Sequence, residues 1–200
     1  MVSKQKKNEV LVWVDLEMTG LDPRKCVILE IAAIITDNEL NIIAESPAIA
    51  IKHSDKVLDG MESWSRFHHK KSGLTGECRA SKIRLKKAEQ LILEFVKSHC
   101  APRTSPLCGN TIWQDRRFLV KYMPKLEAHL HYRVVDVSSI KELVSRWYPT
   151  DFKMPREKKQ THRVMDDIRE SIEELRYYRK KVFSAKGGPA SGGHALSHAH

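Results

Sequence analysis

Asp15 and Glu17 are the first residues whose types and spacing suggest chemistry. They close or follow an apolar run, Val10–Leu16 (Val-Leu-Val-Trp-Val-Asp-Leu). In a strand, residues two apart share a face, so both carboxylates follow Leu11 and Trp13 on one side. Two carboxylates at the edge of a core repel each other and resist desolvation unless a cation neutralises them. Asp115 precedes Phe118 and Leu119 by three and four positions and Tyr122 by seven, which on a helix puts it at the head of an apolar stripe. An anion near a helix N-terminus is mildly favoured by the dipole. His162 stands beside Asp166 and Asp167 in Thr-His-Arg-Val-Met-Asp-Asp-Ile-Arg. If His162 is helical, Asp166 at i+4 shares its face; if it lies in a preceding loop, Asp167 is freer to converge with it. Spacing alone does not choose. Singly, these groups also fit a solvated strand end, a helix cap and surface decoration. Together, acidic oxygens with one His suit hard cations, Mg²⁺ or Mn²⁺, rather than zinc. Two such ions about 3.5–4 Å apart suit phosphodiester hydrolysis. A His with a pKa near ~6.5 suits a general base for the attacking water.

Those residues need elements to hold them. Val10–Leu16 is apolar on both faces, which predicts a central buried strand. Val27–Thr36 and Leu40–Ile51 follow as strands, joined by Asp37-Asn38-Glu39. Residues 61–72 read as a short helix and a loop, and Ser81 as the N-cap of the next helix. Behind it Ala88, Leu91, Ile92, Phe95 and Val96 repeat at helical spacing. Then come a strand at Leu107–Asn110, a helix from about Gln114 to Met123 stopped by Pro124, and a strand at Tyr132–Asp136. A helix over 138–148 should bury Ile140, Leu143, Val144 and Trp147. A last helix, about 164–182, carries Ile168, Ile172, Leu175 and Val182. The order is β-β-β-α-β-α-β-α, an α/β chain without internal repeat.

The 200 residues suit one domain, expected over 9–183, with a polar lead at 1–8 and a disordered Gly/Ala/Ser/His tail at 184–200. A chain this long buries roughly 70% of its unfolded surface and needs no disulfide or metal staple. No apolar run approaches ~18 residues, which excludes a membrane-spanning helix. The start, Met1 to Glu9, lacks an apolar h-region and Arg, which argues against secretion and against a transit peptide. Cys26, Cys78, Cys100 and Cys108 form no C-x-x-C pair and read as buried free thiols of an intracellular protein. The compartment expected is the cytoplasm or the mitochondrion. Net charge is +10, and residues 66–97 hold nine Lys/Arg against three Glu. A polyanionic partner, nucleic acid first, or a solvated helix face would account for that run.

Four segments, in order and spacing, resemble a known family. They are Trp-Val-Asp15-Leu-Glu17-Met-Thr-Gly-Leu-Asp, Cys-Gly-Asn-Thr-Ile-Trp-Gln-Asp115-Arg-Arg-Phe, His-Tyr-Arg-Val-Val-Asp-Val-Ser-Ser-Ile-Lys-Glu-Leu and Thr-His162-Arg-Val-Met-Asp-Asp167-Ile-Arg-Glu-Ser. From about Val10 to Val182 the chain resembles the oligoribonuclease family, DEDD-superfamily 3′→5′ exonucleases of the His variant, and leans towards its eukaryotic branch. The resemblance implies an RNase H-like exonuclease fold, a mixed five-stranded sheet flanked by helices. It also implies a homodimer that degrades short oligoribonucleotides, especially dinucleotides, to nucleoside 5′-monophosphates with two divalent cations, Mg²⁺ or Mn²⁺. It makes Asp15, Glu17, Asp115 and Asp167 the metal carboxylates and His162 the general base, which chooses Asp167 over Asp166. By the same resemblance Leu21 and Trp64 pack against the two bases, and Thr111, Arg133 and Ser138 cap the 5′ phosphate. His69 and Tyr132 complete that cap from the neighbouring subunit. Val164 stands where the family usually has Ala, Thr111 where Ser is usual and Trp113 where a smaller residue is common.

Two rival readings have clear discriminators. A proofreading-type DNA 3′→5′ exonuclease would share the metal site, and matched RNA and DNA dinucleotides separate the two because only the 2′-OH differs. A catalytically silent RNA-binding module would use the basic 66–97 segment and would not need all four carboxylates and His162.

Overall fold

The computed structural model describes residues 10–155 and 163–183. The polar lead, the 184–200 tail and His162 lie outside those residues. Among the described residues six strands form one mixed sheet: β1 Leu11–Met18, β2 Ile28–Thr36, β3 Ile42–Glu45, β4 Ile49–Ala50, β5 Leu107–Gly109 and β6 Val134–Asp136. The order along the sheet is β3-β2-β1-β5-β6, and the two-residue β4 adds to β2 beside this five-strand path. β1 runs antiparallel to β2 and parallel to β5, which is parallel to β6. β2 is buried at all nine positions, as its apolar run with Glu30 as the one charge in it requires.

Among the described residues the eight α-helices are α1 Asp55–Asp59, α2 Ser63–Lys71, α3 Leu74–Ala80, α4 Leu85–His99, α5 Ile112–Tyr122, α6 Pro124–His129, α7 Val137–Trp147 and α8 Val164–Lys181. They cover both faces of the sheet. Val12, Val14 and Leu16 of β1 pack with Ala88, Ile92 and Val96 of α4 and with Phe118 and Leu119 of α5. Trp13 of β1, with Ala32 and Ile34 of β2, packs instead with Val144 of α7 and with Val164, Ile168 and Ile172 of α8. By the two-residue period, Asp15 and Glu17 therefore face α8, and so does Glu30, which continues the Ile34, Ala32 row of β2.

Several boundaries differ from the sequence expectation. The strand expected over Leu40–Ile51 is broken into β3 and β4, with Pro47 between them offering no N–H to a ladder. Ser81 is the C-terminal cap of α3, not the N-cap of α4. Its hydroxyl donates to the Ala50 carbonyl at 2.7 Å and accepts the Ile83 N–H at 3.0 Å, so it is committed elsewhere. α3 was not expected, because it buries only Leu74 and Cys78, too few to show a period. Pro124 does stop α5, but it also opens α6 from the first-turn position, where a missing N–H costs nothing. On α7 Val144 is buried and Ile140 partly so, whereas Leu143 and Trp147 are exposed. All four cysteines are free and buried. Among the described residues no helix is long and apolar enough to cross a membrane.

Candidate active site

Three carboxylates converge on the α8 side of the sheet. Asp15, Glu17 and Asp167 each bring an oxygen to within 4.8 Å of the others. β1 supplies the first two through its period, and the first turn of α8 supplies the third. Burial, then the charges of Asp115, Glu17 and Asp167, holds the Asp15 carboxyl well above its ordinary range. Burial, with Asp167, Glu30 and Asp115 nearby, pushes Glu17 up to about 9, although Arg163 works in the opposite direction. Such a cluster is unfavourable as three anions by themselves, and a cation is what would let them ionise together.

Asp115 approaches from the first turn of α5. It is buried, and its Oδ1 accepts the Leu16 N–H at 3.1 Å. Burial raises its carboxyl to about 8 in spite of the N–H donors of Asp115 itself and of Leu16. It stands outside the set of three, yet its charge is the first, after burial, to act on Asp15. Asp166 lines the same cleft but is not one of the converging ligands.

A cleft of about 760 Å³ opens over this set, lined by Asp15, Asp166, Asp167, Asn110, Thr111 and Ser138 among others. Thr111 is a β-branched residue at φ 53°, a strained backbone for its type. Asp136, the N-cap of α7, holds it there. Its Oδ1 accepts both the Thr111 N–H at 3.0 Å and the Ser138 N–H at 2.9 Å. The two hydroxyls meet at 3.1 Å, and Ser138 Oγ donates to Asn110 Oδ1 at 3.1 Å. Asn110 Nδ2 in turn donates to Ser171 Oγ and to Glu174 of α8. Two hydroxyls are thus fixed at the mouth of an acidic cleft; the Ser138 proton is given to Asn110, and the Thr111 proton is the one that can turn to an anionic oxygen.

Leu21, Trp64, His69, Tyr132 and Arg133 are not among the residues that line this cleft. Leu21 and Trp64 are 64% and 60% exposed, accessible to a flat apolar group. The Trp64 ring stacks on His68 at 3.9 Å between centroids. Tyr132 and Arg133 are exposed side by side, with the guanidinium 5.3 Å from the Tyr132 ring centre, and neither lines the cleft. His69 is the exception. It is 1% exposed, and its ring faces inward. Nε2 lies 2.9 Å from the Met18 carbonyl, which requires that nitrogen to carry the proton. Nδ1 lies 3.8 Å from Glu17 Oε2 and has no hydrogen-bond partner. Burial lowers the His69 pKa, so this approach is a contact of a neutral ring rather than an ion pair. The structure therefore sets His69, buried, beside its own chain's Glu17.

Sequence reasoning missed the residues that hold the site. Asp136, Asn110 and Glu174 were unremarkable by type and spacing. Glu30 did carry a signal, a charge inside Ile-Leu-Glu-Ile-Ala-Ala-Ile-Ile-Thr. All nine basic residues of 66–97 are exposed, on α2 to α4 and their connections.

Converging carboxylates under a polar cleft, on a mixed sheet covered on both sides, define an exonuclease domain, and the exonuclease family model matches residues 12–175. The fold is similar to that of exonuclease I from Methylocaldum szegediense (TM-score 0.67, 18% identity, 88% of this chain and 41% of that one). It is also similar to E. coli exonuclease I in complex with a dT13 oligonucleotide (TM-score 0.68, 17% identity, 86% and 41%). The chain spans about two fifths of those longer proteins. Much nearer in sequence is the oligoribonuclease of Francisella tularensis subsp. novicida, 55% identical over 87% of this chain and 96% of its own. The probable oligoribonuclease of Dictyostelium discoideum is 54% identical (89% and 93%). The mitochondrial oligoribonuclease of Homo sapiens is 48% identical (93% and 78%). Within the exonuclease family, the chain belongs to the oligoribonucleases.

Proposed function

We propose that this chain is a 3′→5′ exoribonuclease that hydrolyses short oligoribonucleotides, dinucleotides above all, to nucleoside 5′-monophosphates. The observation that carries the reading is the convergence of Asp15, Glu17 and Asp167 under a cleft rimmed by Thr111 and Ser138. The domain that does this runs over 9–183.

The donor set fits divalent cations. Three buried or half-buried carboxylates whose charges oppose one another offer hard oxygen ligands and no thiolate, the preference of Mg²⁺ and Mn²⁺. Asp15, Glu17 and Asp167, with Asp115 beside Asp15, would hold two such ions. When bound, these supply positive charge against the phosphodiester.

The chain's own groups account for the rest. His162, one residue before Arg163 at the start of α8, takes the proton of the attacking water. The Thr111 hydroxyl donates to the 5′ phosphate of a dinucleotide, Ser138 joins it by turning its proton from Asn110 Oδ1 to the phosphate, and Arg133 adds a charge-assisted hydrogen bond. Trp64 and Leu21 offer apolar surface to the bases. A dinucleotide brings too few phosphates to bind through charge alone, so base contact and a capped phosphate must supply its affinity. The active form is a homodimer in which the exposed Tyr132 completes the partner's cap. The compartment is intracellular, cytoplasmic or mitochondrial; three mammalian relatives are named as mitochondrial.

Digestion of end-labelled RNAs of two to seven nucleotides, beside the matching DNAs and with or without EDTA, tests this reading. Stepwise loss from the 3′ end, fastest for the RNA dinucleotide and abolished by EDTA, is expected. Equal turnover of DNA, or binding without cleavage, would replace the reading with one of its rivals.

A further inference from the structure

Asp167 reaches the carboxylate cluster from α8, but that helix has no local cap at its start. Its N-cap residue is Arg163, whose side chain bonds none of the helix's own N–H groups. The Arg163 carbonyl accepts the N–H of Asp166 at 3.0 Å and of Asp167 at 3.1 Å. The first turn, and Asp167 with it, therefore follows wherever Arg163 is held.

Arg163 is held on two sides. Its Nε lies 3.2 Å from each oxygen of Glu30, and its Nη2 lies 2.7 Å from Glu30 Oε1. Nη1 and Nη2 reach the two oxygens of Glu77 at 2.9 and 2.8 Å. Glu30 Oε2 also stands 3.4 Å from the Val164 N–H, an acceptor for the helix terminus supplied from β2. One guanidinium thus ties the sheet, α3 and the start of α8 together. Glu30 is wholly buried and is the register partner of Glu17 across β1 and β2. The clamp and the converging carboxylates therefore share one row of the sheet.

Such a pair is a poor source of stability. Burying a carboxylate costs several kcal/mol, and well-packed apolar replacements of buried pairs are often as stable. What a planar two-sided fork supplies is fixed geometry. Geometry matters here, because a slip of α8 by one residue would turn Asp167 by about 100° away from the cluster.

We propose that Arg163, clamped by Glu30 and Glu77, is a positioning residue that sets the first turn of α8 so that Asp167 meets Asp15 and Glu17. This rests on the metal-binding reading above.

The test is Mn²⁺ binding by the full chain, followed by electron paramagnetic resonance, with hydrogen exchange at the Asp166 and Asp167 amides. Wild type is measured first; if it fails to take up Mn²⁺, the metal reading itself is wrong and the clamp has nothing to position. Given wild-type binding, Arg163→Lys keeps the charge and loses the fork. It is expected to fold, to bind Mn²⁺ roughly 10–100-fold more weakly, and to exchange those two amides faster. Its kcat should recover as Mn²⁺ is raised to saturation. Wild-type affinity and exchange in a folded Arg163→Lys overturn the proposal. If Arg163→Lys does not fold, Glu77→Gln decides, since Glu77 is half exposed and outside the buried clusters. Weaker Mn²⁺ binding there supports the clamp, and unchanged binding overturns it.

Discussion

Glu17 and Glu30 are register partners on neighbouring strands and point to the same face of the sheet, yet they meet opposite surroundings. Glu30 is matched by the guanidinium of Arg163 at 2.7 Å, whereas Glu17 converges with Asp15 and Asp167. One carboxylate is neutralised within the chain. The other belongs to a cluster with an excess of negative charge, and its carboxyl stands at about 9.

That excess makes the metal-free fold sensitive to base. The unfolded chain titrates Glu17 near 4.5 and Asp115 near 3.8, and the fold raises them to about 9 and about 8. The folded state binds these protons more tightly, so the stability they contribute is complete below about pH 4. It is lost as pH rises towards 8–9, at about 1.4 kcal/mol per pH unit per group. In EDTA the melting temperature should therefore fall between pH 5.5 and 9, and Mn²⁺ should reverse the fall at the alkaline end. Glu17→Gln should flatten the slope. A melting temperature that is level across this range in EDTA would contradict the burial and charge effects assigned to the cluster.

Asp15→Asn separates activity from folding. The substitution removes one of several like charges, so the variant should melt at or above the wild-type temperature in EDTA while hydrolysis falls by several orders of magnitude. Calorimetry and dinucleotide turnover, measured on the same preparation, check both halves.

His162→Ala should lower the turnover rate by roughly 10²–10⁴-fold with little change in substrate binding. The wild-type rate should climb through a pKa near neutrality, as an imidazole base must be neutral to accept a proton. An unchanged rate in the variant would remove His162 from the mechanism.

Selection for short substrates should depend on the phosphate cap. Arg133→Ala is expected to weaken binding of a 5′-phosphorylated dinucleotide far more than binding of its dephosphorylated form. Because Tyr132 is exposed and His69 is not, the dimer test belongs to Tyr132. In heterodimers of Asp15→Asn and Tyr132→Ala subunits, the one intact carboxylate set receives its cap from the Asp15→Asn partner. About half of wild-type activity should return; no recovery above the parents would place the whole cap within one subunit.

The sequence by itself determined the elements with strong periods and the residues set by local spacing. The apolar run of β1 and the stripes of α4 and α8 were legible because burial imposes periods of two and 3.6. Asp15 and Glu17 shared a face for the same reason. The spacing at His162, Asp166 and Asp167 was silent on which aspartate converges; the family resemblance chose Asp167, and α8 brings that residue to the cluster. The tertiary structure decided whatever depends on partners distant in the chain. Arg163 finds Glu30 across 133 positions and Glu77 across 86, and no local pattern encodes such a contact. Ser81 looked like a helix cap until the Ala50 carbonyl, 31 residues away, was there to take its hydroxyl. Resemblance alone singled out His69, and only the packing of α2 at the end of β1 shows its ring turned inward to the Met18 carbonyl. Periodicity records only which face of an element is dry. Which charges meet on that face is fixed when the elements pack.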